Sequence, residues 1–235
     1  MIKQSFLSLL FPPLCLSCEE PMHSPDHLFC DLCSSLLELI DPTLRCPRCF
    51  SLDYSPLKRK CARCSHIRHP FSGIAAAFEY TGPAAALVKK MKYGGLSYLA
   101  KTFAACLITQ LDQLNWPSPD IIVPVPSSLD RKFQRGFNQS ALLAREVALL
   151  LNISFQEPLT KPMGNYSQAG LRIQQRKQLN NTQFFLKKKT RIQDKIILVI
   201  DDVTTTGKTL EQCGNALLEG CPGKLYGLTV CKTPF

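Results

Sequence analysis

Four pairs of cysteines, each pair separated by two residues, constrain the first third of this chain more than any other feature. They are Cys15/Cys18, Cys30/Cys33, Cys46/Cys49 and Cys61/Cys64. The last four repeat the first four at an offset of 31 residues, giving two copies of C-x2-C-x11-C-x2-C. A C-x2-C turn brings two thiolates to one side of the backbone. Two such turns supply four sulfurs in a tetrahedron, which suits Zn2+ at a Zn–S distance of about 2.3 Å. The duplication predicts two structural zinc ions, one on Cys15, Cys18, Cys30 and Cys33, the other on Cys46, Cys49, Cys61 and Cys64. Crossed pairing between the copies is the alternative. Redox C-x2-C pairs normally stand alone at a helix start, and four regular pairs do not fit that pattern. Iron–sulfur clusters also take four cysteines, but the repeated two-turn spacing is commoner for zinc. Four thiolates close the coordination sphere, so the metal is expected to be structural rather than catalytic. All four histidines, His23, His27, His66 and His69, lie in the same segment. With eight thiolates available they read as surface residues.

The compartment decides whether so many cysteines mean disulfides or metal. The N-terminus carries Lys3 and an apolar stretch from Phe6 to Phe11. It superficially resembles an export signal, but Pro12-Pro13 interrupts it and no small-x-small cleavage site follows. The expected arrangement is a short helix within residues 1–14 that lays Phe6, Leu7, Leu9 and Leu10 against the body. The chain is therefore expected to be cytoplasmic. No apolar run approaches the ~20 residues of a membrane span. The charge is uneven. Of the net +10, residues 1–70 contribute +1 and residues 71–235 contribute +9, so the anionic partner that a basic chain implies belongs to the second segment.

That segment alternates strand and helix. Gly73 to Tyr80, Ile121 to Pro126, Ile196 to Ile200 and Leu225 to Cys231 read as strands. Ala84 to Tyr93, Tyr98 to Leu114, Asn138 to Leu151 and Thr209 to Leu218 have helical periodicity. Residues 156–182 are polar and read as a long loop or lid. The alternation predicts a doubly wound, mainly parallel α/β domain over 70–235, preceded by the cysteine module over 15–69.

The sharpest local signal is Ile196-Ile-Leu-Val-Ile-Asp-Asp-Val-Thr-Thr-Thr-Gly-Lys-Thr-Leu210. An apolar strand runs into Asp201 and Asp202, then into a hydroxyl-rich turn and Gly207 at a helix start. Unpaired N–H groups from Thr204 to Lys208, at the positive end of a helix dipole, make a phosphate site. Thr205, Thr206 and Thr209 add hydroxyl donors, and Gly207 permits close backbone approach. Carboxylates at the strand end can accept hydrogen bonds from vicinal sugar hydroxyls. A 5-phosphorylated ribose satisfies both halves. The segment also approximates the nucleotide loop G-x4-G-K-[ST], but Asp202 stands where its first glycine belongs, against the phosphates. An ordinary strand–turn–helix connection does not account for a tandem acid pair ending a buried strand, which is costly without a ligand.

This motif resembles the phosphoribosyl pyrophosphate (PRPP) loop of type I phosphoribosyltransferases. Val123 to Ala148 (VPVPSSLDRKFQRGFNQSALLAREVA) and Ser167 to Leu171, continuing through Arg176 and Asn180 to Phe184, resemble the ComF/GntX family of competence proteins. So does the apolar, Pro-Pro and cysteine-rich N-terminus. The resemblance covers nearly the whole chain. It implies a type I phosphoribosyltransferase-like domain after a double zinc ribbon. It also implies a role in natural competence and the handling of incoming single-stranded DNA, with competence-machinery proteins as partners. At matching positions Asp201 and Asp202 would hold ribose hydroxyls, with Mg2+ accompanying PRPP. Thr204, Thr205, Thr206, Gly207, Lys208 and Thr209 would hold the 5-phosphate. Arg131 and Arg135 would face pyrophosphate, and Lys92 would lie near the site. Asn138 would cap the helix that follows. The turn Val203 to Thr206 lacks the further carboxylate of purine-type enzymes, so a nucleobase acceptor is not expected. The alternative is a non-catalytic protein that uses the same site for a phosphate of single-stranded DNA or of a nucleotide. The basic run Lys187 to Lys189 and Arg191 is compatible with that.

Overall fold

The computed structural model describes residues 11–22, 24, 26–64, 69–127, 136–161 and 184–234. The N-terminal apolar stretch through Leu10, Arg131, Arg135 and most of the 156–182 segment lie outside the described residues.

The cysteine repeat reappears as a repeated backbone. In the first copy the Cys15 N–H donates to the Glu20 carbonyl (2.9 Å) and the Glu19 N–H to the Cys15 carbonyl (3.0 Å). In the second, the Cys46 N–H donates to Ser51 (3.0 Å) and the Phe50 N–H to Cys46 (2.8 Å). Glu19 and Phe50 occupy the same place and both turn left-handed, with φ of 63° and 58°. Beyond these turns the copies diverge. A short helix, α1 (Asp31–Ser35), follows the first. An antiparallel pair, β1 (Tyr54–Ser55) and β2 (Lys60–Cys61), completes the second.

The remaining elements include every strand and helix the alternation predicts, together with three two-residue strands among the described residues, between the third predicted helix and the third predicted strand, that it does not predict. They are β3 (Gly73–Glu79), α2 (Gly82–Tyr93), α3 (Leu99–Gln113), β4 (Ile121–Pro124), α4 (Gln139–Leu151), β5 (Ser154–Phe155), β6 (Leu159–Thr160), β7 (Phe185–Leu186), β8 (Ile196–Thr204), α5 (Lys208–Leu218) and β9 (Lys224–Lys232). Five strands form one parallel sheet in the order β3-β9-β8-β4-β5. β8 lies at its centre and is apolar on both faces because both are covered. Leu198 and Ile200 pack with α2, α3 and α4 on one side, while Ile197 and Val199 pack with Leu210 and Leu217 of α5 on the other. The sheet is thus the doubly wound α/β architecture the alternation predicts. β6 and β7 pair antiparallel apart from it, across the segment read as a loop.

The cysteine module is fastened to the sheet. Ile40 and Phe50 belong to the main apolar core, and Phe50 is 1% exposed. The Ile40 N–H donates to the Ala77 carbonyl of β3 (2.8 Å), the Ile74 N–H to the Arg48 carbonyl (3.0 Å), and Gln110 Nε2 to the Ile40 carbonyl (3.0 Å). Arg45 pairs with Glu79 at the end of β3. No helix among the described residues is long and apolar enough to cross a membrane. Because Phe50 is a core side chain contributed by a C-x2-C turn, Phe50→Ala should cost about 3–5 kcal/mol. Urea denaturation followed by far-ultraviolet dichroism measures this, and a loss below about 1 kcal/mol would contradict the shared core.

Candidate functional site

β8 does not stop at Ile200. It runs on to Thr204 because its parallel partner β9 continues beside it, pairing Asp201 with Thr229 and Thr204 with Lys232. The two acids therefore lie inside a strand, where successive side chains leave on opposite faces. Thr204 is buried, and its carbonyl accepts from the Thr233 N–H (3.0 Å). The free turn is correspondingly shorter than expected, and begins at Thr205. Gly207 follows with φ 80° and ψ 0°, a left-handed position that favours glycine. α5 starts at Lys208, so the positive end of its dipole faces the turn. The Lys208 N–H reaches Thr206 Oγ1 at 3.4 Å, and Thr209 lies in the first turn of the helix.

The two carboxylates have different surroundings. Asp201 is buried, and its Oδ1 accepts from Ser140 Oγ (2.7 Å), at the start of α4, and from the Asp202 N–H (3.0 Å). Burial first, and then the Asp202 carboxylate, push the Asp201 carboxyl up to about 7, with Ser140, the Asp202 N–H and Lys92 opposing. Asp202 is less enclosed and forms an ion pair with Lys92 Nζ of α2 at 3.0 Å. Lys92 is thus held at the site rather than on a solvated helix face, its side chain only 17% exposed. Asn138 occupies the N-cap position of α4 but makes no side-chain cap. Its Nδ2 instead donates to the Val125 carbonyl (3.1 Å), tying the start of α4 to the end of β4.

Sequence reasoning missed Ser140, whose only signal is a hydroxyl in the first turn of a helix. Pro126, Ser127, Asn138, Lys161 and Lys187 line a hollow of about 260 Å3 beyond the end of β4. Arg131 and Arg135 belong to residues 128–135, outside the described residues.

The cysteines assemble within copies, not across them. Cys15, Cys18, Cys30 and Cys33 form one group and Cys46, Cys49, Cys61 and Cys64 the other, with all sulfurs of a group within 4.8 Å. Cys18–Cys30, Cys46–Cys64 and Cys49–Cys61 each approach to 3.7 Å. The edge of a ZnS4 tetrahedron is about 3.8 Å, whereas a disulfide needs about 2.05 Å. Each group can therefore hold a structural zinc ion, and the donor set fits that metal.

No protein-family model matches the chain. Curated relatives match it along nearly all of its length. The DNA utilization protein YhgH of Escherichia coli (strain K12) is 27% identical, covering 96% of this chain and 99% of that one. Competence protein F of Haemophilus influenzae is 26% identical over 86% of this chain and 90% of its own. Competence protein ComFC of Streptococcus pneumoniae is 28% identical over 84% of both. The chain is thus similar over most of its length to curated DNA utilization and competence proteins. Among solved structures, the allosteric regulatory enzyme of purine biosynthesis is 16% identical with a TM-score of 0.43, matching 57% of this chain. The chain spans about a quarter of that enzyme, with 25% of its length covered. The hypoxanthine phosphoribosyltransferase of Trypanosoma cruzi is 14% identical with a TM-score of 0.34, over 60% of this chain and 69% of that one.

The Asp201 environment has a thermodynamic consequence. Its folded pKa lies above the ordinary 3.8, so the folded state binds the extra proton. Stability is then fullest below the ordinary value and falls as pH rises toward 7. Asp201→Asn keeps the acceptor oxygen and removes the charge. Its stability gain over the parent should be about 1–3 kcal/mol larger at pH 8 than at pH 5. Thermal denaturation at the two pH values reads this, and a pH-independent difference would contradict a charge-burial cost.

Proposed function

We propose that this chain binds PRPP, together with Mg2+, and serves natural competence by handling incoming single-stranded DNA. The observation that carries the reading is the end of β8. A pair of carboxylates, one buried and one salt-bridged, runs directly into a glycine turn at the N-terminus of α5. Burying two acids side by side costs stability, and a polyhydroxyl ligand with a phosphate one turn away is what such an arrangement suits. In this reading Asp202 accepts ribose hydroxyls. Asp201, which accepts from Ser140 and the Asp202 N–H, holds Asp202 in place. Lys92 balances the Asp202 charge. The turn from Thr205 to Thr209 takes the 5-phosphate with N–H groups and hydroxyls. Arg131 and Arg135 neutralise pyrophosphate, and Mg2+, when bound with PRPP, shields that pyrophosphate further. The competence role rests on the names of the full-length relatives. Zinc, one ion per cysteine group, holds the module that carries Phe50 into the core.

Calorimetry with PRPP and Mg2+ tests the site. The parent should bind, and Asp201→Asn/Asp202→Asn should weaken binding at least tenfold. No binding to the parent would overturn the reading. Release of pyrophosphate with candidate acceptors then decides turnover. Elemental analysis should give two zinc ions per chain, and one ion, or iron, would contradict the two-centre assignment.

A further inference from the structure

The second cysteine group touches the phosphate turn. Arg63 stands between two of its sulfurs, Cys61 and Cys64, and its Nη2 donates to the Thr206 carbonyl at 2.7 Å, across 143 residues of chain. Thr206 is the residue before Gly207, so this carbonyl belongs to the peptide that forms the middle of the turn. In a trans peptide the C=O and the following N–H point in opposite directions. Holding the Thr206 oxygen on the side of the cysteine module therefore turns the Gly207 N–H to the other side. Gly207 has no side chain to resist a flip of that peptide, and its left-handed conformation is one of several open to glycine. The turn itself leaves this orientation weakly determined, and a charge-assisted hydrogen bond from outside determines it.

Arg63 is in turn fixed by its neighbours. A C-x2-C turn whose two sulfurs share a metal has little freedom at the residues between them. The same module is anchored to β3 at both ends, by the Arg48 carbonyl on Ile74 and, level with Thr204, by the Arg45–Glu79 pair. A rigid path thus runs from the Cys46/Cys49/Cys61/Cys64 centre through one guanidinium to one peptide of the turn. The first cysteine group has no such contact with the turn among the described residues.

We infer that Arg63 is a positioning residue for the phosphate turn, and that through it the second cysteine centre sets the turn's affinity for a phosphorylated ligand. The inference rests on reading the turn as an anion site, but its first test does not. Hydrogen exchange followed by mass spectrometry should show faster exchange over 203–209 in Arg63→Ala than in the parent, with zinc content and far-ultraviolet dichroism unchanged. Equal exchange overturns the coupling whether or not PRPP binds. In the second arm, PRPP with Mg2+ should bind Arg63→Ala about tenfold more weakly than the parent. Arg63→Lys, which keeps one charged donor, should lie between them. Parent and Arg63→Ala binding equally would overturn the inference and leave the PRPP reading standing. No binding to the parent would overturn the PRPP reading, and the exchange result alone then decides the coupling. Should Arg63→Ala lose zinc, Arg63→Gln carries the same comparisons.

Discussion

Two adjacent carboxylates at the end of the central strand of the sheet are the constraint around which the rest of the molecule is arranged. A strand that is apolar on both faces can be followed by Asp201 and Asp202 only if each acid is separately accommodated. Alternation along the strand sends them to different surroundings. Ser140 and the Asp202 N–H satisfy Asp201, and Lys92 satisfies Asp202. These partners come from the starts and ends of elements that the parallel sheet brings to one edge, the carboxyl end where ligands of α/β proteins bind. The first turn of α4 supplies Ser140, the last turn of α2 supplies Lys92, and the N-terminus of α5 supplies the dipole.

The cysteine module is part of this arrangement rather than an appendage to it. Its second copy sends Phe50 into the main core, its backbone pairs with β3, and Arg63 reaches the turn after β8. A metal ion held by each cysteine group would replace the hydrophobic core that a segment of this size cannot build alone, and the stability it supplied would be shared with the sheet.

The order of the long strands and helices, the central strand, the acids, the glycine turn and both cysteine groups were legible in the sequence, while the two-residue strands β5, β6 and β7 were not. Each legible feature is written in local spacing or periodicity. What could not be read depends on partners distant in the chain. β8 extends past Ile200 because β9 runs on to Lys232, and nothing in residues 196–204 says so. Lys92 reads equally well as a solvated helix residue until α2 is placed beside Asp202. Asn138 has the identity and position of a cap, yet its amide is used to hold β4, a choice made by tertiary packing. Arg63 carries no signal at all, since one cation between two cysteines is unremarkable until the turn lies against it.

In the proposed complex the turn after β8 takes the 5-phosphate of a ribose whose hydroxyls face Asp202. Phosphorus NMR of PRPP titrated with the zinc-loaded protein observes that phosphate separately from the pyrophosphate. The account predicts that the 5-phosphate resonance shifts and broadens on binding, and that Gly207→Val abolishes this. A 5-phosphate resonance that stays unchanged while the pyrophosphate resonances move would contradict it.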